Sequence, residues 1–415
     1  MDANIGTDVG RLLVNVTSTQ GLIPIPDAEV TISYTGNPES PIETVETNSV
    51  GKTDVLDLPT PPIEYSLEPE PPSQPYSEYN IKIEAEGYEP AYISGAQLLS
   101  GEEAVQTIRL NPISVSGESE NYVIPPHTLY GDYPPKIAEA LIKPIEETGE
   151  IVLSRVVIPE YIVVHDGVPD DATAMNYYVR YPDYIKNVAA SEIYATWPAD
   201  TIRANVLAIM SFTLNRVYTE WYRNKLKDFT ITSSTAYDQK WMPGRNTYEN
   251  IDQIVDELIN HYLSKPGVSQ PIFTWYCDGY RVTCEKGMTQ WGSKYLGEEG
   301  YTPIQILRYY YGSTLYINTA EEISGIPSSW PGTNLSVGSK GPKVRQLQMM
   351  LNRISDNYTL IPKLSVDGIF GPATEEAVRV FQSVFDLPAT GVVDFPTWFK
   401  ISNVYVGVTR IAEPY

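Results

Sequence analysis

Glu192 is the residue whose type and position most demand chemistry. In the stretch from Tyr184 to Tyr194, Ile185, Val188 and Ala189 recur at helical spacing, and the next member of that stripe is Glu192. A carboxyl on a buried face loses hydration, which disfavours its charged form and moves its pKa upward. That shift brings it toward the range in which it can protonate a glycosidic oxygen near neutral pH. The structural alternative is a glutamate at a helix end that pairs with an arginine or caps a turn. Thr289 and Gln290, in the segment Gly287 to Gly292, are placed to hydrogen-bond sugar amides or Glu192 itself. Trp291 and Gly292 beside them fit packing at a tight turn as well as substrate contact. A hydrolase usually adds a second carboxylate, roughly 5 to 9.5 Å away. Asp238, in Tyr237-Asp238-Gln239, and Asp278, in Tyr276-Cys277-Asp278-Gly279, are the nearest candidates, and either also fits a loop-orienting role.

These groups need a mixed α and β scaffold, which the pattern predicts over 127–325. Helices are expected at Tyr184 to Tyr194, Asp200 to Leu226 and Asn250 to Leu263, and strands at Ile151-Val152-Leu153 and Tyr161 to Val164. Pro198 separates the first two helices, and Asp200 or Thr201 can cap the second. Residues 1–112 alternate with period two: Leu12, Val14 and Val16, then Val30 and Ile32, then Ile81, Ile83 and Ala85. Short strands broken by Gly and Pro predict an all-β sandwich, with the acidic, proline-rich stretch from Thr60 to Ser73 as a surface loop or edge. Residues 113–126 are small and polar, and read as a linker open to proteolysis. After a hinge at Pro327 to Gly332, residues 333–410 form a small helical bundle. Val344, Leu347, Leu351 and Ile354 make one amphipathic helix, Ala377, Val378, Phe381 and Phe385 a second, and Trp398 closes the end. The chain is therefore expected to be multidomain.

Composition narrows the partners. The formal charge of −23 argues against nucleic acid, which is held by clustered Lys and Arg. No window approaches the run of about 18 apolar residues that a membrane span needs. The 31 Tyr and 7 Trp supply rings that stack on sugar faces, although for any single Tyr a core position is the commoner role. No cofactor is expected. The three histidines, His127, His165 and His261, are far apart, and no zinc-binding spacing occurs. Cys277 and Cys284 leave open a local disulfide, two buried thiols or an incomplete metal site. Met1 to Asp8 lacks a cationic and apolar leader, so delivery by cell lysis or on a particle is expected for a wall target.

Several separated segments carry a resemblance. Tyr184 to Ile193 with its Ala-Ser-Glu ending, Trp197-Pro198, Ile202-Arg203-Ala204-Asn205 and Gly287-Met288-Thr289-Gln290-Trp291-Gly292 resemble the stage II sporulation protein D family of lytic transglycosylases. That resemblance implies that Glu192 is the catalytic acid. The family's Gly-Met-Ser-Gln-x-Gly signature has Thr289 for Ser, and its Ala-Arg-Thr-Tyr segment aligns with Ile209-Met210-Ser211-Phe212, so the family's arginine is missing. Some members bind zinc through Cys and His, whereas here no histidine neighbours the two cysteines.

His127 to Gly131, Val163 to Gly167, Tyr237 to Gln239 and Tyr276 to Gly279 resemble the clostridial spore cortex-lytic enzymes, over nearly the whole chain. Residues 1–112 are similar to carboxypeptidase-regulatory or transthyretin-like sandwiches. Leu335 to Gly341, Val344 to Gln348, Asp367 to Thr374, Ala377 to Gln382, Gly391 to Val393 and Thr397-Trp398 resemble the peptidoglycan-binding domain 1 family. Most of these last residues carry the fold, and no ligand contact stands out within 333–410. The resemblance implies a spore zymogen that cuts cortex peptidoglycan strands as a lytic transglycosylase. A germination protease would activate it by cutting within 113–126. A non-catalytic amidase enhancer or peptidoglycan binder, or a phage-borne lysin, are the alternatives.

Overall fold

The computed structural model describes residues 8–113, 119–138, 141, 156–268, 270–320, 322–324 and 331–409. The strand expected at Ile151-Val152-Leu153, residues 114–118 of the expected linker and residues 327–330 of the hinge lie outside these. The described residues form several sheets and eight helices, a mixed α and β architecture of multidomain character.

The N-terminal region is built from β1 (Asp8–Ser18), β2 (Glu29–Tyr34), β3 (Pro41–Glu46), β4 (Leu56–Thr60), β5 (Ser77–Glu84), β6 (Ala91–Leu98), β7 (Glu103–Leu110) and β8 (Glu120–Val123). One sheet runs β3-β2-β5-β6-β8, and the other carries β4, β1 and β7 side by side. Leu12, Val14, Val16, Val30, Ile32, Ile81 and Ile83 are all buried, each from the inward half of its strand's alternation, and share one core. Two expectations change here. Residues 119–126 are not a free linker, because β8 pairs in parallel with β6, Ala91 facing Glu120. Backbone bonds hold this edge strand while Val123 points outward, so no apolar period marks it. The proline-rich stretch is not simply a surface loop either. Ser66 accepts the Trp197 indole N–H on its carbonyl at 3.1 Å, and Leu67 accepts the Lys294 ammonium on its own at 2.7 Å.

The central region contains β9 (Val157–Ile158), β10 (Tyr161–His165), β11 (Asn176–Arg180), α1 (Tyr181–Glu192), α2 (Ala199–Tyr218), β12 (Ile231–Thr232), β13 (Thr247–Tyr248) and α3 (Glu249–Leu258). It continues with β14 (His261–Ser264), β15 (Tyr276–Cys277), β16 (Met288–Thr289), α4 (Gln290–Glu298), α5 (Pro303–Tyr311), β17 (Tyr316–Thr319) and β18 (Glu322–Ile323). β13 extends the sandwich by pairing antiparallel with β7, which welds the two regions together. Helix α2 ends at Tyr218, short of the expected Leu226, because Glu220 and Leu226 take left-handed backbone with φ of 45° and 60°. Neither Asp200 nor Thr201 caps it. Pro198 holds the N-cap position, and the Thr201 hydroxyl donates to the Ser293 carbonyl at 3.3 Å. Helix α3 stops at Leu258, since His261 to Leu263 are drawn into β14 by pairing with β17.

The C-terminal module has three helices rather than two: α6 (Pro342–Ile354), α7 (Pro372–Val384) and α8 (Phe395–Thr409). Helix α8 shows no clean amphipathic period because it is apolar on two sides. Trp398, Ile401 and Val404 join the module's core, while Phe399 joins the core of the larger body. Gly368, at φ 77°, turns the chain after Asp367, whose carboxylate accepts the Ile369 N–H and fixes the approach of buried Phe370. Val50 of the sandwich sits in the module's core cluster, and Lys52 reaches Asp386 at 2.8 Å.

Candidate active site

Glu192 is the last residue of α1 and is 0% exposed, as Ile185, Val188 and Ala189 of the same stripe are. Ile193 turns extended, ending the helix and leaving carbonyls that need donors. Arg245 donates to the Ala190 carbonyl at 2.6 Å, and the His127 Nε2–H donates to the carbonyls of Ala190 and Ile193 at 3.1 and 3.3 Å. Both groups lean on the sandwich: Arg245 donates to Gln97 Oε1, and the His127 backbone N–H to the Tyr76 hydroxyl.

The Glu192 carboxyl is held by three donors. The Lys240 backbone N–H reaches Oε1 at 2.7 Å, and the Tyr276 hydroxyl reaches the same oxygen at 3.4 Å. Gln290 Nε2 donates to Oε2 at 2.9 Å and to the Glu192 carbonyl at 3.0 Å, so the amide cannot turn over without setting oxygen against oxygen. Burial pushes the Glu192 pKa up. The Lys136 charge, the Lys240 N–H, Gln290 and Tyr276 oppose that push without cancelling it.

Both aspartates are engaged by other partners. Asp238 is 1% exposed and takes Arg216 Nε at 2.7 Å, the Tyr222 hydroxyl at 2.6 Å, and the Thr232 N–H and hydroxyl at 3.0 and 2.7 Å. Asp278 accepts the backbone N–H groups of Tyr280, Arg281 and Val282, the geometry of a carboxylate that shapes its own loop. A disulfide between Cys277 and Cys284 clips that loop, which settles the choice left open for the two cysteines. Gln239 is fully buried, accepting from Tyr184 and Thr213 and donating to the Ile209 carbonyl. Tyr237 is half-buried in the turn that begins at Ser234, and this turn carries the chain to the Lys240 N–H. Thr289 does not reach Glu192. Its hydroxyl pairs with the Tyr310 hydroxyl at 3.0 Å. A Cβ on Gly292 would fall 2.2 Å from each of those two oxygens, so glycine is required there, and buried Trp291 packs 5.0 Å from Trp197.

Three contributors escape sequence reasoning. Arg216 carried a signal, a cation two turns after Ile209 on an apolar helix, and it pairs with Asp238. The Lys240 N–H is a backbone group and leaves no mark in the sequence. Lys136 lies in an aperiodic segment, yet its ammonium stands 4.9 Å over the Trp275 ring and 5.4 Å over that of Tyr276. Desolvation lowers its pKa to about 8 against the pull of Glu192, Asp238 and Asp278.

Residues 340–401 match the family described as "Putative peptidoglycan binding domain". The zinc D-Ala-D-Ala carboxypeptidase of Streptomyces albus G is 45% identical over 73 residues, which cover 18% of this chain and 27% of that one. The chain thus spans about a quarter of that relative's length. These matches give residues 340–401 the likeness of a peptidoglycan-binding module and support a cell-wall-related role. Among solved structures, the Bacillus anthracis TIE protein is 17% identical, covering 25% of this chain and 17% of that chain at a TM-score of 0.19. A 3-chlorocatechol 1,2-dioxygenase from Rhodococcus opacus 1CP is 12% identical, covering 30% and 62% at 0.16. Likenesses of that size carry no argument about fold or chemistry. Among the described residues, no group of three or more His, Cys, Asp and Glu is placed to hold a metal ion, and no helix is long and apolar enough to cross a membrane.

Proposed function

We propose that this protein cleaves the glycan strands of spore cortex peptidoglycan as a lytic transglycosylase, with Glu192 as its single acid and base. The observation that carries the reading is the contrast in engagement: Glu192 is buried with a raised pKa, while Asp238 and Asp278 are consumed by structural partners. One carboxyl suffices for this reaction. Protonated Glu192 gives its proton to the glycosidic oxygen as the C1–O bond breaks. The resulting carboxylate takes the proton of the muramic acid 6-hydroxyl as O6 attacks C1 and forms the 1,6-anhydro ring. Glu192 ends protonated as it began, and water is not consumed. Gln290 and the Lys240 N–H hold the carboxyl in place through the cycle and ease its charged form. The C-terminal module keeps the enzyme on its polymeric substrate.

In this reading residues 1–112 are a prodomain, a germination protease is the activating partner, and the protein is stored in the cortex or coat region of the spore. The support is that the sandwich reaches the helix end behind Glu192, so its removal alters the surroundings of that carboxyl. Gln97 and Tyr76 brace Arg245 and His127, which cap the helix end that presents Glu192. The test compares full-length and protease-cut protein on decoated spores. Release of glycan fragments by the cut form alone is expected, and equal rates from both would remove the zymogen.

The complete burial of Glu192 favours a second reading, a non-catalytic binder that stimulates an amidase. Such a protein would keep its effect when Glu192 is replaced by Gln, which the first reading forbids.

A further inference from the structure

Glu192 has no exposure, so a sugar reaches its carboxyl only after a neighbour moves. The neighbours differ in how firmly they are built in. Tyr276 lies in β15, Gln290 opens α4, and the Lys240 N–H follows a turn that Asp238 and Gln239 tie to α2 and β12. Tyr133 and Lys136 instead come from residues 131–138, which form no helix or strand and cross the surface of the domain. Asp132, Pro134, Pro135 and Ala138 face solvent, whereas Tyr133 is 7% exposed and Lys136 is half-buried. Pro134 and Pro135 have no N–H to give and hold φ near the extended value, which keeps the segment straight without binding it to its surroundings.

Its attachments are few. The Arg281 guanidinium donates to the Gly131 carbonyl, the Ile137 N–H donates to the Ala236 carbonyl at 2.8 Å, and the Lys136 ammonium reaches the Asp238 carbonyl at 3.5 Å. Just upstream, His127 ties the segment to Tyr76 of the sandwich at 2.9 Å. The inward residues therefore meet the site, while among the described residues the side chains of the outward ones make no hydrogen bond or ion pair.

We propose that residues 131–138 are an autoinhibitory strap, in which Tyr133 and Lys136 close the approach to Glu192. Displacing the strap opens the site and withdraws the cation together. This rests on the reading of Glu192 as the acid. The electrostatics agree with it, since the Lys136 charge is the largest influence opposing the effect of burial on Glu192. Once a glycan replaces the strap, burial acts on Glu192 with that opposition gone, and the carboxyl moves toward the protonated form an acid needs. The other charged groups facing Lys136, Asp238 and Asp278, keep the partners already described. A charge held beside the acid and removed on opening couples access to reactivity without any change in the core.

The test uses the uncut full chain with Lys136→Met and Tyr133→Ala combined, and separately with Pro134→Gly and Pro135→Gly, which loosen the strap without touching a buried residue. Two readouts are taken: coupling of glycine ethyl ester to Glu192 by a water-soluble carbodiimide, located by peptide mass, and release of glycan fragments from peptidoglycan. Both variants should label Glu192 about tenfold faster than uncut wild type, as expected when a local closing equilibrium is shifted, and after the protease cut both should release glycan fragments at least as fast as cut wild type. Lys136→Arg, which keeps the charge, should stay near wild type. Unchanged labelling of Glu192 in both loosened variants, with melting curves like wild type, would overturn the strap. Faster labelling with no glycan cleavage even after the protease cut would uphold the strap and sink the assignment of Glu192 as the acid.

Discussion

Glu192 and Asp238 are two carboxylates of one domain, each almost without solvent exposure, and their surroundings treat them in opposite ways. Asp238 meets a guanidinium, two hydroxyls and a backbone N–H, and Arg216 is itself stacked among the rings of Phe212, Trp221 and Phe273. That is a closed ion pair with its remaining lone pairs filled. Such a pair holds a loop in register and has nothing left to exchange with a substrate. Among the described residues, Glu192 receives two side-chain donors and one backbone N–H, and no cation forms a salt bridge with it. Its proton affinity is thus set by burial, the condition under which a carboxyl can act as an acid. The comparison teaches that burial alone does not mark a reactive group. The number and charge of its partners do.

Four substitutions or titrations break or sharpen this contrast. The largest effect is expected for Glu192→Gln, which should lower glycan cleavage by about 10³-fold or more while binding to peptidoglycan sacculi, measured by co-sedimentation, is kept. Arg216→Ala attacks the other carboxylate. It leaves the Asp238 charge buried without its partner and should cost about 3 to 5 kcal/mol in chemical denaturation. Gln290→Ala removes a donor to the carboxylate, so the Glu192 pKa should rise further. Because the reaction needs the protonated acid, the fall in rate at high pH should then occur at a higher pH than in wild type, with a loss of about tenfold at the optimum.

The smallest effect is thermodynamic. A carboxyl whose folded pKa lies above its unfolded value binds more protons in the native state, so its contribution to stability declines as pH rises through that window. The melting temperature of Glu192→Gln relative to wild type should therefore increase from pH 4 to pH 7. A flat difference would show that Glu192 titrates normally.

What the sequence reveals follows the range of the forces involved. Glu192 was visible because α1 is a single amphipathic element, and a carboxyl on its apolar stripe breaks a period of a few residues. Leu12, Val14 and Val16 were visible for the same reason at the period of a strand. Lys136, Arg245 and the Lys240 N–H act on Glu192 or its helix end across 48 to 56 positions of chain, and no local pattern encodes such contacts. Strand β8 was hidden because its pairing uses backbone groups alone, and α8 because it is shared between two cores. The motif segments single out the two aspartates as candidates for a second carboxylate or for orienting loops, yet their engagement by Arg216 and by the 277–284 loop is a tertiary fact.

The most direct test of the account is the chemistry of the fragments released when activated protein digests decoated spores, read by mass spectrometry. The single-carboxyl account predicts 1,6-anhydromuramic ends, absent with Glu192→Gln. Reducing ends would contradict it, because they require an activated water and a second carboxylate that the partners of Asp238 and Asp278 do not leave free.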